Sequence, residues 1–275
     1  MVQMSTVWDR TTAFAAGAIA AILPVALLLL FLPIAIQVAL TPLLVAQSLP
    51  VRIVVMALFW AIELSGTLSL MALALSATPR PGDAVRAAML RLGPTIAIFI
   101  FLLVVAGLLI IPIHLVMAGA GIDFASLHAG HAIGIGNMTA AGAWFILGYG
   151  LLLIIAGIWV TARLLVIEPV ILVERRGIGA VMQAFRLTRG LALRIIGALI
   201  LYGLVSTVAI LAVQTVCGSI FVLVAPADSG LSLAAVLTSI AVAAVSTAFK
   251  VIAAIFIAKL YIAVDETRGR TAEAV

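Results

Sequence analysis

The chain has 275 residues, 66% of them hydrophobic and only 9% charged, whereas a water-soluble domain carries about 25% charged residues. With a mean hydropathy of +1.39 it lacks the polar surface needed to clothe a soluble domain, so a bilayer must be the solvent for most of it. Its net charge of +5 reports membrane orientation in so apolar a chain, not nucleic-acid binding, and the single Cys217 rules out an intrachain disulfide and a Cys/His zinc cluster.

About 20 apolar residues cross a hydrocarbon core of about 30 Å. Runs of that kind lie near residues 14–40, 53–77, 95–117, 141–173, 195–224 and 231–264. The first contains Pro24 and Pro33, which in a membrane helix mark kinks more often than ends, so it is expected to form one span. It is too long for a signal-peptide core and only Arg10 precedes it, so cleavage is not expected. Turn residues at 79–83 and 226–230 separate the second span from the third and the fifth from the sixth. Aromatic residues are sparse at 7%, and the apolar runs do not alternate as porin strands do. The fold class is therefore all-α: a polytopic membrane protein of six transmembrane helices forming one helical domain over residues 1–275.

Arginines divide unevenly between alternate connections. Arg10 precedes the first span; Arg80, Arg86 and Arg91 follow the second; Arg175, Arg176, Arg186, Arg189 and Arg194 follow the fourth; Lys259, Arg268 and Arg270 flank the tail. On the opposite side only Arg52 lies between the first and second spans, and residues 119–140 and 225–230 contain no Lys or Arg. The positive-inside rule then predicts that both termini and both basic connections are cytoplasmic.

Those two connections have helical apolar periodicity. In 83–92, Ala84, Val85, Ala88, Met89 and Leu92 share a face; in 179–189, Ala180, Val181, Ala184 and Phe185 do, and Gly190 follows as a stop. Two short amphipathic surface helices are expected, their basic sides meeting anionic phospholipid headgroups through Arg175, Arg176, Arg186, Arg189 and Arg194. Sliding one onto the other pairs Ala84 with Ala180, Val85 with Val181 and Ala88 with Ala184, which suggests an internal span–surface helix–span repeat.

The stretch Glu168-Pro169 through Glu174, then Gly177, the step Leu187-Thr188-Arg189-Gly190, and Arg194-Ile195-Ile196-Gly197 resembles the signature of the glycerophosphoryl diester phosphodiesterase membrane-domain family. The likeness covers about thirty residues in detail and is otherwise one of layout. It implies a bacterial inner-membrane protein near lipid metabolism. No segment here is long and polar enough for a phosphodiesterase domain, so hydrolysis does not carry over.

Catalytic chemistry is not legible. Asp123, His128 and His131 could hold a divalent ion, but their Gly-rich segment offers no fourth ligand and reads better as a solvated connection; no cofactor or metal is expected, nor an enzyme. Suspicion falls on Glu63 and Lys250, halfway along the second and sixth spans, because an ionised group at mid-bilayer costs at least about 3 kcal/mol. They read as a buried pair that sets helix register, or as the lining of a polar path. Two functions stay open: a non-enzymatic protein that binds or organises anionic lipid or a membrane-protein partner, including a second copy, and a small permease with Glu63 and Lys250 in its pathway.

Overall fold

The structure, a computed structural model, describes residues 3–120, 138–174, 179–224 and 233–273, and every regular element among them is helical. Six helices are long and apolar enough to cross a membrane: Ile19–Val45, Leu49–Leu75, Pro81–Gly119, Ala140–Glu174, Ala192–Leu223 and Leu233–Thr267. The protein is an all-α, multi-pass membrane protein.

The first span, expected near 14–40 as one kinked crossing, is Ile19–Val45, and it is interrupted. Helix α1 (Met4–Gly17) ends at Ala18, whose φ of −109° and ψ of 16° leave the helical region. Helix α2 (Ile19–Ala26) follows, then a π-helical turn, Leu27–Phe31, and α3 (Leu32–Val45). The π turn has a cause in the sequence: Pro33 has no N–H to give the Leu29 carbonyl four residues back, and the Leu32 N–H bonds the Leu27 carbonyl instead. Such π segments bend helices.

The described residues divide into two compact units. The larger comprises the chain up to Ile96 and from Arg163 onward; the smaller is Ala97–Ala162.

In the larger unit, helix α4 (Leu49–Leu75) lies against the π turn at Gly66. A Cβ there would come within 2.9 Å of Leu30 Cδ2 and 3.0 Å of the Leu29 carbonyl oxygen, so only glycine permits this approach. Ile22, Val25 and Leu30, then Leu70, Met71 and Leu73 of α4, and Ala254, Ile255 and Ala258 of the last helix build the core. The surface helix expected at 83–92 is instead the opening of one uninterrupted helix, α5 (Pro81–Gly119). Ala84 and Ala88 are buried, and Ala84 joins the core cluster, so this apolar face packs on protein. At 39 residues and 1.5 Å per residue, α5 is roughly 58 Å long, well beyond a hydrocarbon thickness.

The fourth span is two helices, α6 (Ala140–Leu164) and α7 (Ile167–Glu174). They part at Leu165–Val166, where Pro169 cannot donate to the Leu165 carbonyl. The second short helix stands apart as α8 (Gly179–Leu187). Its Ala180, Ala184 and Leu187 are buried and it packs on α7, so its apolar side too meets protein. Because the first short helix is continuous with a span and the second is not, the two halves of the proposed repeat differ in construction. Helix α9 (Ala192–Val224) and α10 (Leu233–Glu273) complete the unit, and α10 packs against α9, α4, α3 and α1.

The smaller unit is a pair of helical segments from α5 and α6. Tyr149 donates to the Leu109 carbonyl at 2.9 Å and stacks on Phe145, while Leu103, Leu147, Ile154 and Ile155 are more than half exposed. A surface so apolar is suited to hydrocarbon, not water.

Candidate functional site

Four helices of the larger unit converge on a cavity of about 390 Å³. Helix α3 contributes Ile34 and Gln37, and α4 contributes Trp60 and Glu63; α9 adds Tyr202, Ser206 and Ile210, and α10 adds Ser246, Phe249 and Lys250. Each set repeats at three or four residues, the spacing that puts side chains on one helical face. Glu63 stands one residue past the middle of Leu49–Leu75 and Lys250 at the middle of Leu233–Thr267. The structure brings these two together: Lys250 Nζ donates to Glu63 Oε2. Gly66, one turn beyond Glu63, seats α4 against the π turn and so helps set the height of Glu63 beside α3.

The pair is not sealed. The Glu63 side chain is 13% exposed, but that of Lys250 is 39% exposed, and four further polar residues line the same space. Gln37 Nε2 donates to Met56 Sδ at 3.2 Å and Ser206 Oγ to the Gly203 carbonyl at 3.1 Å; both keep an oxygen able to accept. Tyr202 meets Phe249 edge-on, their ring centroids 5.9 Å apart. A site with both charges and several hydroxyl and amide groups at mid-span can bind a polar group that hydrocarbon would reject.

A second cluster occupies the arginine-bearing end of the same unit. Lys259, nine residues beyond Lys250 on α10, donates to the Ala74 carbonyl at 2.7 Å, and its Nζ lies 4.3 Å from the centre of the Phe14 ring. Arg10 meets Glu266 at 3.1 Å on the surface. Gln183 of α8 donates to Glu174 at 3.3 Å, and Tyr261 of α10 lies beside Glu174. These contacts gather α1, the end of α4, α7, α8 and the end of α10 at one end of the unit.

The residues that carry the family resemblance have structural work here. Leu187 is buried, Thr188 Oγ1 bonds the carbonyls of Ala184 at 2.8 Å and Arg163 at 3.1 Å, and Arg163 Nη1 donates to the Phe185 carbonyl at 3.0 Å. Gly190 has φ +86°, a left-handed conformation that other residues rarely adopt. Leu187-Thr188-Arg189-Gly190 thus latches α8 to the end of α6 and turns the chain into α9. Arg186, Arg189 and Arg194 are exposed; Arg175 and Arg176 lie outside the described residues, as do Asp123, His128 and His131. Among the described residues no His/Cys/Asp/Glu cluster could hold a metal ion.

Sequence reasoning missed Gln37, Tyr202, Ser206 and Ser246. Ser246 stands four residues before Lys250 and Ser206 four after Tyr202, a helical spacing that would have marked two polar stripes in otherwise apolar spans. No family model, no curated protein and no solved structure matches the chain.

Proposed function

We propose that this is a small permease or ligand-binding protein of the bacterial inner membrane that holds a polar group in the Glu63–Lys250 cleft, with both termini and both basic connections cytoplasmic. The observation that carries the reading is the space beside the ion pair. A pair that only fixed helix register would be best packed dry, since protein interiors are close-packed and a void forfeits dispersion contacts. Here polar side chains from four helices turn toward a cavity large enough for a small molecule.

Cysteine labelling tests it. In a Cys217→Ser background, Ser206→Cys and Ser246→Cys should react with N-ethylmaleimide in intact membranes; protection equal to that of a cysteine at buried Leu68 would reduce the pair to a structural role. Reporter fusions after Arg91, Gly130, Arg176 and Ser229 should alternate inside, outside, inside, outside, and a cytoplasmic signal at Gly130 would overturn the orientation.

A second reading is favoured by the exposure of Arg186 and Arg189 beside the packed α8: a headgroup site for anionic lipid, each arginine contributing about 1 kcal/mol. It fits the lipid-related character implied by the family resemblance, which we retain as a proposal. Arg186→Gln with Arg189→Gln should lower co-purified phosphatidylglycerol, whereas the same charge loss at Arg80 and Arg86 should not; equal loss in both would leave only a topology signal.

A further inference from the structure

Resting on the cleft as a binding site, we infer that its ligand arrives from the hydrocarbon phase and carries a flat, uncharged head with hydrogen-bond-accepting carbonyls, the chemistry of an alkyl- or prenyl-substituted quinone. Depth is the first argument. Glu63, Tyr202, Ser206, Ser246 and Lys250 each stand ten or more positions from the nearer end of their helices, roughly 15 Å at 1.5 Å per residue. Yet at that depth Lys250 has a side chain 39% exposed and Trp60 is also 39% exposed. The larger unit therefore leaves the cleft open at mid-depth, the level of the acyl chains.

Charge is the second argument. Glu63 and Lys250 neutralise one another, and an ionised head would add net charge at mid-depth, where it is most costly. A neutral head adds none. It can accept from Lys250, whose ammonium has three N–H groups and spends one on Glu63, and from the Tyr202 hydroxyl. Shape is the third. Trp60 and the edge-paired Tyr202 and Phe249 line the cleft and offer aromatic surfaces for a planar head, while an opening at mid-depth leaves an apolar tail in the bilayer.

The test uses Trp60 as reporter, with Trp8, Trp144 and Trp159 changed to Phe, in phosphatidylcholine nanodiscs titrated with decylubiquinone. A protein keeping only the lipid-exposed Trp144 measures collisional quenching. Trp60 should show an added saturable component whose half-point rises at least fivefold in Tyr202→Phe and tenfold in Lys250→Met. The Tyr202→Phe variant preserves ring packing, so the result does not depend on Lys250→Met folding. Quenching of Trp60 no different from that of Trp144 overturns the quinone assignment. Loss of the saturable part on adding phosphatidylglycerol or phosphatidylethanolamine overturns it in favour of a phospholipid head. In either case, continued labelling of Ser206→Cys leaves the cleft standing as a binding site, and absence of labelling removes that reading too.

Discussion

Lys250 and Lys259 stand nine residues apart on one helix and are satisfied in opposite ways. Lys259, eight residues from the end of its span at Thr267, is filled in: a backbone carbonyl accepts from it and the Phe14 ring lies against it. Lys250, at mid-span, has a carboxylate partner and lines a polar cavity. A cation nearer the end of its span can be held by whatever backbone and aromatic groups close the bundle there, and the cost of placing it is smaller. At mid-span the cost is larger, so a charge beside a cavity lined by polar groups, instead of tight packing, fits a binding role.

The sharpest way to break the contrast is to remove each cation. Lys250→Met leaves Glu63 alone in an apolar setting and should lower stability by about 3 kcal/mol, with most of that recovered by adding Glu63→Gln; additive effects in the double-mutant cycle, read by thermal unfolding in mild detergent, would show that the two do not interact. Gly66→Ala should cost about 1–3 kcal/mol by overpacking, because a backbone carbonyl of Leu29 stands where the methyl would go; it should also slow maleimide labelling of Ser206→Cys or speed it, since α4 must shift with Glu63, and an unchanged labelling rate would separate the packing from the cleft. Lys259→Met should cost about 1–2 kcal/mol, for one charged hydrogen bond and a cation–π contact, without altering Trp60 quenching. Smallest is Glu266→Gln: its pair with Arg10 is nearly half exposed on both sides, so less than about 1 kcal/mol should be lost, and less again in high salt.

The same contrast shows what could be read without coordinates. Glu63 and Lys250 were visible as costly groups at matching depth, because composition along an apolar run reports depth directly. Tyr202, Ser206 and Gln37 were not, because a lone hydroxyl or amide in a span usually satisfies itself on its own helix, as Thr11, Ser69 and Thr238 do by bonding the carbonyl four residues back. Nothing in their local sequence says which of them faces a shared cavity. The short helices tell a similar story. Apolar periodicity at 83–92 and 179–189 marked faces on which Ala84, Ala88, Ala180 and Ala184 are covered by protein while Met89 stays 47% exposed, because a periodicity cannot say how much of a face is covered or by what.

By itself, then, the sequence determined that the chain lives in a bilayer, how many times it can cross, and where the arginines collect, since these follow from transfer free energies summed along the chain and need no knowledge of neighbours. It also marked Pro33 as a place where the helix yields, because a missing N–H acts within one turn, whereas Pro24, marked in the same way, sits inside a helix and the break at Ala18 has no proline behind it. Only the tertiary structure decided that Gly66 admits α4 to the Leu29 carbonyl, that Leu187-Thr188-Arg189-Gly190 is a latch, and that polar residues of four helices meet in one cleft. Those depend on the rotation of each helix about its axis, which is set by side-chain packing between segments far apart in the chain.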